Sequence, residues 1–402
     1  MTSAPGVARF CLFNSYWCDF MITVPSISDA DCATEVGATR VMFFCSGLAA
    51  AAWAALIPIL KTQIGIDEGT LGLLLLCLGG GAILAMPLAG AVATRLGCKR
   101  VLLWTVSMFS LLLLLLPFAG SVWQLVILLV LFGFGLGATD CVMNIQAILV
   151  EKRAGRNLMS GFHGFYSLGG IFGAGLMVLL LSAGLAVEQA CALVSLLLLG
   201  ALFHAKRGLL PFASPKEGPA FALPHGTVLW IGLICFALFL AEGTVLDWSG
   251  VYLTEHQHAA HSLASLGLFS FSLTMTLARL TGDWTVARFG SRLVLTAGGM
   301  IACAGMVLAI AAPGFYLALL GYALVGLGCA NIVPIMFSAT GKQKVMPQAL
   351  AVPAVSTLGY IGVLAGPALV GLVAQHFSLP FALYLIAGLI ALATLVSLRI
   401  RL

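Results

Sequence analysis

Three acidic side chains lie inside stretches that are otherwise almost uncharged, namely Asp140, Glu242 and Asp247. An ionised carboxyl group in an apolar surrounding is costly, so it normally has a partner, faces water or takes up a proton. Glu242 and Asp247 belong to AEGTVLDW, residues 241–248, which follows twelve residues without a charge. The sequence places no basic side chain at the depth of Glu242, so we expect this acid to be hydrated or protonated. Reversible proton binding and binding of a polar solute are the chemistries that fit.

Other polar and aromatic side chains accompany the acids. Asn144 lies one helical turn after Asp140, so both side chains would share a helix face. His163 can change its charge near neutral pH and relay a proton, although a histidine in an apolar helix also commonly hydrogen-bonds to a neighbouring helix. Asp247 beside Trp248 also fits an interfacial position that needs no function. The candidate residues for proton coupling or solute binding are Asp140, Glu242, Asn144, Asn331, His163, Trp53, Tyr166, Asp247 and Trp248.

Metal, cofactor and enzyme chemistry have little support in the sequence. HQHAAH contains His256, His258 and His261 at a spacing that can bind zinc or copper, but no further ligand lies nearby. GGIFGAG at residues 169–175 follows no strand, so we interpret it as a helix-packing stretch rather than a dinucleotide site. We therefore expect no metal, no cofactor and no enzymatic activity.

The composition indicates which elements carry the candidate side chains. Of the 402 residues, 61% are hydrophobic and 8% are charged, whereas roughly a quarter of a soluble domain is charged. Apolar runs of about 20 residues, enough helix to cross a hydrocarbon core of ~30 Å, recur along the chain. Runs such as LLLLLL at 111–116 do not alternate, which argues against a transmembrane barrel. The sequence predicts an all-α polytopic membrane protein surrounded by a lipid bilayer.

We number the membrane spans in chain order. Asp140 would lie roughly 16 Å from the end of span 4 at Glu151, and Glu242 roughly 22 Å from the start of span 7 at Thr227, so both acids are expected near the middle of the membrane. Twelve spans are predicted, at about 41–60, 71–93, 101–120, 122–150, 158–185, 188–204, 227–253, 263–281, 293–312, 315–341, 349–375 and 380–398.

Lysine and arginine lie almost entirely on one side of this arrangement. The loops on the other side contain Lys61. Because short cytoplasmic loops are enriched in basic residues, we expect both termini in the cytoplasm and the chain in the inner (plasma) membrane. The net charge of +5 reflects this bias, and no nucleic-acid partner is expected. The basic residues in loops after even-numbered spans are Arg95, Lys99, Arg100, Lys152, Arg153, Arg156, Lys206, Arg207, Lys216, Arg288, Arg292, Lys342 and Lys344.

The domain organisation follows from the spacing of the spans. Residues 1–40 have no apolar core long enough for a span and are predicted to be a poorly ordered cytoplasmic tail. A polar, proline-containing linker at 205–226 separates an N-terminal bundle, 41–204, from a C-terminal bundle, 227–402.

Two sequence matches indicate that the bundles are repeats. GLGATD ends at Asp140 and GLGCAN ends at Asn331, and RLGCKRVLL at Arg95 matches RFGSRLVLT at Arg288 at nearly the same offset. Small residues also recur at helix contacts, but Arg-x-Gly is not a packing motif. We therefore predict two pseudo-repeated six-helix bundles.

From about residue 41 to 402, the chain resembles the major facilitator superfamily (MFS) of secondary transporters. The family's signature Gly-x-x-x-Asp-Arg-x-Gly, followed by basic residues, is similar to the stretch from Gly90 to Arg100, with Thr94 in place of the acid. The resemblance implies that spans 1, 4, 7 and 10 line a central cavity. It also implies a conformational latch, in which Glu151 could replace the missing acid as the partner of Arg95. The implied latch residues are Gly90, Arg95, Gly97, Glu151, Asp283, Arg288 and Gly290.

Two further features refine this picture. Arg279 and Asp283 are four residues apart at a helix end, and we interpret them as a structural ion pair. The span 4 arginine of the drug-exporter branch is absent, which weakens that reading. Four stretches are similar to bacterial inner-membrane facilitators of the YbjJ type, which implies a transport role without naming a substrate: 137–170, 241–253, 330–341 and 359–371.

The sequence therefore predicts a twelve-helix transporter that works by alternating access. We expect it to be driven by the proton gradient through Asp140 or Glu242, to carry a small organic solute and to function as a monomer. A membrane sensor or receptor of the same fold, which binds a ligand without flux, and a drug or metabolite exporter are the alternatives.

Overall fold

A computed structural model describes residues 29–213, 222–260, 263–311 and 313–400, including side chains except those of 29–31 and Glu68. Residues 1–28 of the predicted tail, Lys216 in the linker and His261 in the histidine-containing loop lie outside the described residues. Within the described ranges the chain is helical with no strand. The helices are Asp29–Ile64, Glu68–Leu115, Val122–Ala154, Met159–Ser182, Val187–Ala205, Gly226–Glu255, Leu266–Leu280, Gly282–Phe289, Ser291–Ala311, Phe315–Cys329, Ile332–Lys342, Gln348–His376 and Leu379–Ser397.

The helices account for the twelve predicted spans. Ten stretches of the described residues are long and apolar enough to cross a membrane. One of them, Gly69–Phe118, has 50 residues and would be about 75 Å long as a single helix, more than twice the ~30 Å of a hydrocarbon core. It therefore contains both span 2 and span 3. The shorter apolar helix Leu266–Leu280 forms span 8. The predicted all-α polytopic fold is confirmed.

Gly97 separates spans 2 and 3. Its φ of 80° and ψ of 159° break the helix, and a glycine adopts a positive φ without the strain of a side chain. A Cβ atom here would also collide with the carbonyl group of Pro211, which follows span 6. The signature glycine is therefore required both by its backbone conformation and by a close backbone contact.

Several spans begin at capping residues that satisfy free backbone N–H groups. The Asp67 side chain accepts a hydrogen bond from the Thr70 N–H at 2.7 Å at the start of span 2, and Ser121 caps span 4. Span 4 ends at Gly155 in the left-handed conformation, with φ of 62°. Polar residues in the short connections thus set the limits of apolar helices.

Span 1 begins earlier than the sequence predicts. Its helix starts at Asp29, so residues 29–40, predicted as part of a poorly ordered tail, are helical. The Arg153 guanidinium lies 2.9 Å from the Glu35 carboxylate. The Gln146 amide donates a 3.0 Å hydrogen bond to the buried Thr39 hydroxyl. These contacts with span 4 stabilise helical turns that apolarity alone does not predict.

Spans 1–6 form one half of the molecule and spans 7–12 the other, with close helix contacts inside each half. A Cβ atom on Gly47 of span 1 would collide with the Tyr166 carbonyl of span 5, and one on Gly362 of span 11 with the Phe236 carbonyl of span 7. Glycine lets helices in a membrane approach closely enough for dispersion forces to hold them together.

We call the end of the molecule with the loops around Arg95, Arg153, Lys206 and Arg288 the basic end. Several contacts between the halves lie between mid-span and the basic end. The Ser338 hydroxyl donates to the Glu151 carboxylate at 2.6 Å, and the Lys152 ammonium to the Gln348 amide oxygen at 3.0 Å. The two halves are thus joined at the basic end.

Candidate functional site

Glu242 has a basic partner. The Arg279 guanidinium of span 8 donates to the Glu242 carboxylate of span 7 at 3.0 Å, and the exposed side-chain fractions are 7% for Arg279 and 17% for Glu242. The prediction that no base lies at the depth of Glu242 is wrong. Arg279 was placed at a helix end by counting residues, but its side chain reaches a carboxylate that would otherwise be unpaired in a low-dielectric region.

Arg279 also binds two groups outside spans 7 and 8. Its Nε–H donates to the Ala330 carbonyl at 3.1 Å, and its Nη1 group donates to the Ser167 hydroxyl at 3.1 Å. Ala330 lies where span 10 is interrupted between Phe315–Cys329 and Ile332–Lys342. Ser167 belongs to span 5, so the arginine joins the halves near mid-membrane.

The predicted Arg279–Asp283 pair is not formed. The helix ends at Leu280, and Asp283 lies in the separate helix Gly282–Phe289, so the four-residue spacing no longer places the two side chains on one face. The Asp283 carboxylate instead accepts a hydrogen bond from the Gly161 N–H of span 5 at 3.0 Å.

Asp140 is the candidate acid at mid-membrane depth that has no counter-charge among the described residues. Its half-buried carboxylate has no hydrogen bond or ion pair with any described residue. It is within range of electrostatic interaction with Tyr166 of span 5 and Tyr360 of span 11, both also half-buried. Tyr166 interacts electrostatically with Glu242 and Arg279 too, so it links the two charged groups.

Three buried polar atoms near these groups have no hydrogen-bond partner among the described residues. They are Asn144 Oδ1, His163 Nε2 and Asn331 Oδ1. The Asn144 amide N–H donates to the Asp140 backbone carbonyl at 2.9 Å, and the Asn331 amide N–H donates to the Ala278 carbonyl at 3.3 Å. Each asparagine thus uses a donor and leaves its acceptor free.

His163 lies between aromatic rings from both halves. Its ring centroid is 5.1 Å from that of Phe43 in span 1 and 5.7 Å from that of Phe337 in span 10. The side chain is 8% exposed. His163 is therefore part of the contact between the halves, on the basic-end side of the acids.

The remaining candidates lie apart from the charged groups. Trp53 is buried against Phe132, with ring centroids 6.4 Å apart. Asp247 is exposed, towards the end of span 7 opposite the basic end. The Trp248 ring lies beside Gly371 of span 11, where an added Cβ atom would be 3.2 Å from it, and the indole N–H has no partner among the described residues.

The start of span 5 receives carboxylates from both halves. Glu151 accepts hydrogen bonds from the Leu158 and Met159 N–H groups, each at 2.9 Å, and Asp283 accepts from the Gly161 N–H at 3.0 Å. The first N–H groups of a helix have no intrahelical acceptor and carry partial positive charge, which favours bound carboxylates. The other Glu151 oxygen accepts from Ser338 of span 10.

These contacts correct the predicted latch. Glu151 uses both carboxylate oxygens for other donors, while Arg95 is exposed, so the expected Glu151–Arg95 pair is not formed. Thr94 donates its hydroxyl hydrogen to the Ala91 carbonyl of its own helix at 2.8 Å. Gly90 lies against Pro353 of span 11, which places this signature glycine between the halves.

The second copy of the signature contributes differently from the first. Arg288 is exposed, and Gly290 has a φ of 80° at the end of the helix Gly282–Phe289. Asp283 is the member that contacts the other half. Sequence reasoning missed Arg279, Ser338 and Tyr360 as site residues. A lone arginine in the apolar run before Asp283 was the available signal for Arg279; the two neutral residues had none.

Comparisons with known proteins identify the family. Residues 41–258 match the sequence profile of the Major Facilitator Superfamily. The chain is 44% identical over 356 residues to an uncharacterized MFS-type transporter of Yersinia pestis, covering 88% of this chain and 92% of the relative. It is 32% identical over 353 residues to the membrane protein MosC of Rhizobium meliloti, covering 87% of this chain and 86% of that protein.

A solved structure shows the same fold. The E. coli fucose:proton symporter FucP matches with a TM-score of 0.75 and 16% identity, covering 91% of this chain and 98% of that chain. At this identity the likeness establishes the fold and not the substrate. The sequence matches cover most of the chain and both halves of the helical fold. The chain therefore belongs to the major facilitator superfamily, a family of multi-pass membrane transporters.

Proposed function

We propose that this protein is a proton-coupled secondary transporter that moves a small organic solute by alternating access. The observation that carries the proposal is the half-buried carboxylate of Asp140, which has no counter-charge among the described residues at mid-membrane depth. The similarity in fold between this chain and a fucose:proton symporter supports coupling of transport to protons. The four stretches noted in the sequence further support a relationship with YbjJ-type facilitators.

The contacts between the halves support an outward-facing state. If the basic end lies in the cytoplasm, as the positive-inside rule predicts, then the cytoplasmic side is closed by Glu151, Asp283 and Arg279. Both termini would then be cytoplasmic and the chain would lie in the inner membrane. We propose the monomer as the working unit, with the bundles 41–204 and 227–402 moving about the linker.

Asp140 supplies the coupling in this mechanism. Closing the outer side around an ionised, unpaired carboxylate has a high desolvation cost, which protonation removes. The proton is loaded from outside and released when the cytoplasmic side opens. Glu242 has a different role, because Arg279 compensates its charge and extends the pair to Ser167 in the other half.

Transport into proteoliposomes with an imposed pH gradient tests the proposal. The gradient should drive accumulation of a transported solute by the wild type. Asp140→Asn should abolish this accumulation, because asparagine cannot take up and release a proton. Asp247→Asn should have a much smaller effect, since Asp247 is exposed near one membrane face.

Two outcomes would contradict the proposal. Accumulation by Asp140→Asn in response to the gradient would show that another group couples proton and solute. Specific solute binding by purified protein, with no flux in the same proteoliposomes, would instead identify a sensor or receptor.

A further inference from the structure

The charged groups near mid-membrane do not balance. The described charged side chains at this level are Asp140, Glu242 and Arg279. Arg279 donates to Glu242, Ser167 and Ala330 and is 7% exposed. With Asp140 ionised, these three groups carry one net negative charge. A negatively charged solute would meet a carboxylate without an available cation, whereas a positively charged solute would restore neutrality.

The surroundings of Asp140 add aromatic rings and acceptors. Tyr166 and Tyr360 interact electrostatically with the carboxylate and come from opposite halves. Aromatic faces attract organic cations. Asn144 Oδ1, one helical turn away, is a buried acceptor without a donor among the described residues. An ammonium group has several donors and no acceptor, which complements this set.

We propose that the transported solute carries an ammonium group, which binds the Asp140 carboxylate. This inference rests on the proposed transport function and names the substrate class of that site. The proton and the ammonium group then compete for one carboxylate. Either ligand neutralises it, so both loaded forms can close, while the empty ionised form pays the desolvation cost of an unpaired charge. Transport is therefore exchange of one proton for one organic cation.

Binding to the purified full-length protein in detergent provides the test. The probes are two sets matched in carbon skeleton: benzylamine, benzyl alcohol and benzoate, and ethanolamine, ethylene glycol and glycolate. Calorimetry should detect binding of at least one amine and no binding of its alcohol or carboxylate counterpart. A proton competes for the same carboxylate. Amine affinity should therefore fall about tenfold for each unit by which the pH is lowered, in the range where Asp140 takes up its proton.

Matched variants establish where the amine binds. Asp140→Asn should weaken amine binding at least tenfold and remove its pH dependence, with thermal unfolding of the protein checked separately. Asp67→Asn, which changes an exposed helix cap far from the site, should retain wild-type binding. Should Asp140→Asn unfold, Asp140→Glu provides the second test, since it keeps the charge and should retain pH-dependent amine binding.

The outcomes separate this inference from the proposed function. If no amine binds more tightly than its alcohol, or if Asp140→Asn leaves amine binding unchanged, the ammonium proposal is wrong. Proton-driven flux of an alcohol or carboxylate in proteoliposomes would then leave the transport function standing with another substrate class. Amine binding without any flux would contradict transport while supporting the site.

Discussion

At the scale of single residues, the Glu242–Arg279 pair decides how the intramembrane charge is distributed. The two residues are 37 positions apart in the chain, and their charged atoms lie 3.0 Å apart. Two opposite charges that hydrogen-bond in a low-dielectric region stabilise each other, whereas either charge alone has a large desolvation cost. Glu242 therefore contributes to packing and charge balance, and we propose Asp140 as the acid that responds to a proton or solute.

Removing one member of this pair should destabilise the protein more than removing both. Glu242→Gln leaves the Arg279 charge uncompensated, and loss of one partner of a buried pair costs about 3–5 kcal/mol. The double variant Glu242→Gln with Arg279→Gln should recover part of that loss. Chemical unfolding in detergent measures the free energies of unfolding of the wild type, Glu242→Gln, Arg279→Gln and the double variant. The resulting double-mutant cycle gives the coupling energy between the two residues.

Asp247→Asn is the matched control, because it removes an exposed acid from the same span. It should change the free energy of unfolding little. Additive effects of the two substitutions at Glu242 and Arg279 would mean that the pair contributes no coupling.

At the scale of elements, the beginning of span 5 is where the halves meet. Glu151 from its own half and Asp283 from the other half accept hydrogen bonds from the first N–H groups of Met159–Ser182. The positive end of one helix thus holds carboxylates from both sides of the contact. Opening the basic end must break the Asp283 hydrogen bond and return this carboxyl group to water.

Asp283, outside the spans, should make closure of the basic end depend on pH. Burial raises the pKa of Asp283 from 3.8 to about 6, with the nearby Glu151 charge acting in the same direction and the Gly161 N–H, Arg40 and the Ser160 N–H opposing it. When the basic end opens, this pKa falls back towards its ordinary value. The closed state therefore binds the proton more tightly, so acidification from pH 7 to pH 4 favours closure.

Thiol labelling measures this effect. A cysteine replacing Ile335, which lines the small cleft beside Asp283, should react more slowly as the pH falls, after correction for the reactivity of free cysteine. The native cysteines are replaced beforehand. Asp283→Asn should remove the corrected pH dependence, whereas Asp67→Asn should preserve it. A corrected rate that increases on acidification would contradict the assigned direction.

At the scale of the whole molecule, the arrangement of the two halves determines which side is open. Gly90 of span 2 packs against the Pro353 ring of span 11, and a Cβ atom on Gly90 would collide with that ring. Proline is rigid, so the halves must separate to accommodate even a methyl group. Gly80, on the same span, has no atom within 4 Å of the position of an added Cβ.

Gly90→Ala should therefore shift the protein towards the state that is open at the basic end. Labelling of the cysteine at position 335 should become several-fold faster than in the parent. Gly80→Ala raises the helix propensity in the same way but creates no collision. It should therefore leave the labelling rate unchanged. Equal labelling of the two variants would show that the Gly90–Pro353 contact does not hold the halves closed.

The fold could be predicted because its causes are local or compositional. A chain with 61% hydrophobic and 8% charged residues has too few polar side chains for a soluble surface, and the repeated runs predict helical spans. The Gly97 turn was anticipated as part of a signature, while the separate helix Gly282–Phe289 and the early start of span 1 at Asp29 were not. Those features depend on contacts with other spans, which no local pattern encodes.

The candidate site was only partly predictable. The sequence by itself determined which acids lie at mid-membrane depth, because apolar runs set the position of Asp140 and Glu242 along their helices. Only the tertiary structure decided that Glu242 has a counter-charge and Asp140 has none among the described residues. The desolvation cost of a carboxylate depends on its depth in the membrane, which follows from its position along one helix. Neutralisation of its charge depends on a basic partner that packing brings from a distant part of the chain.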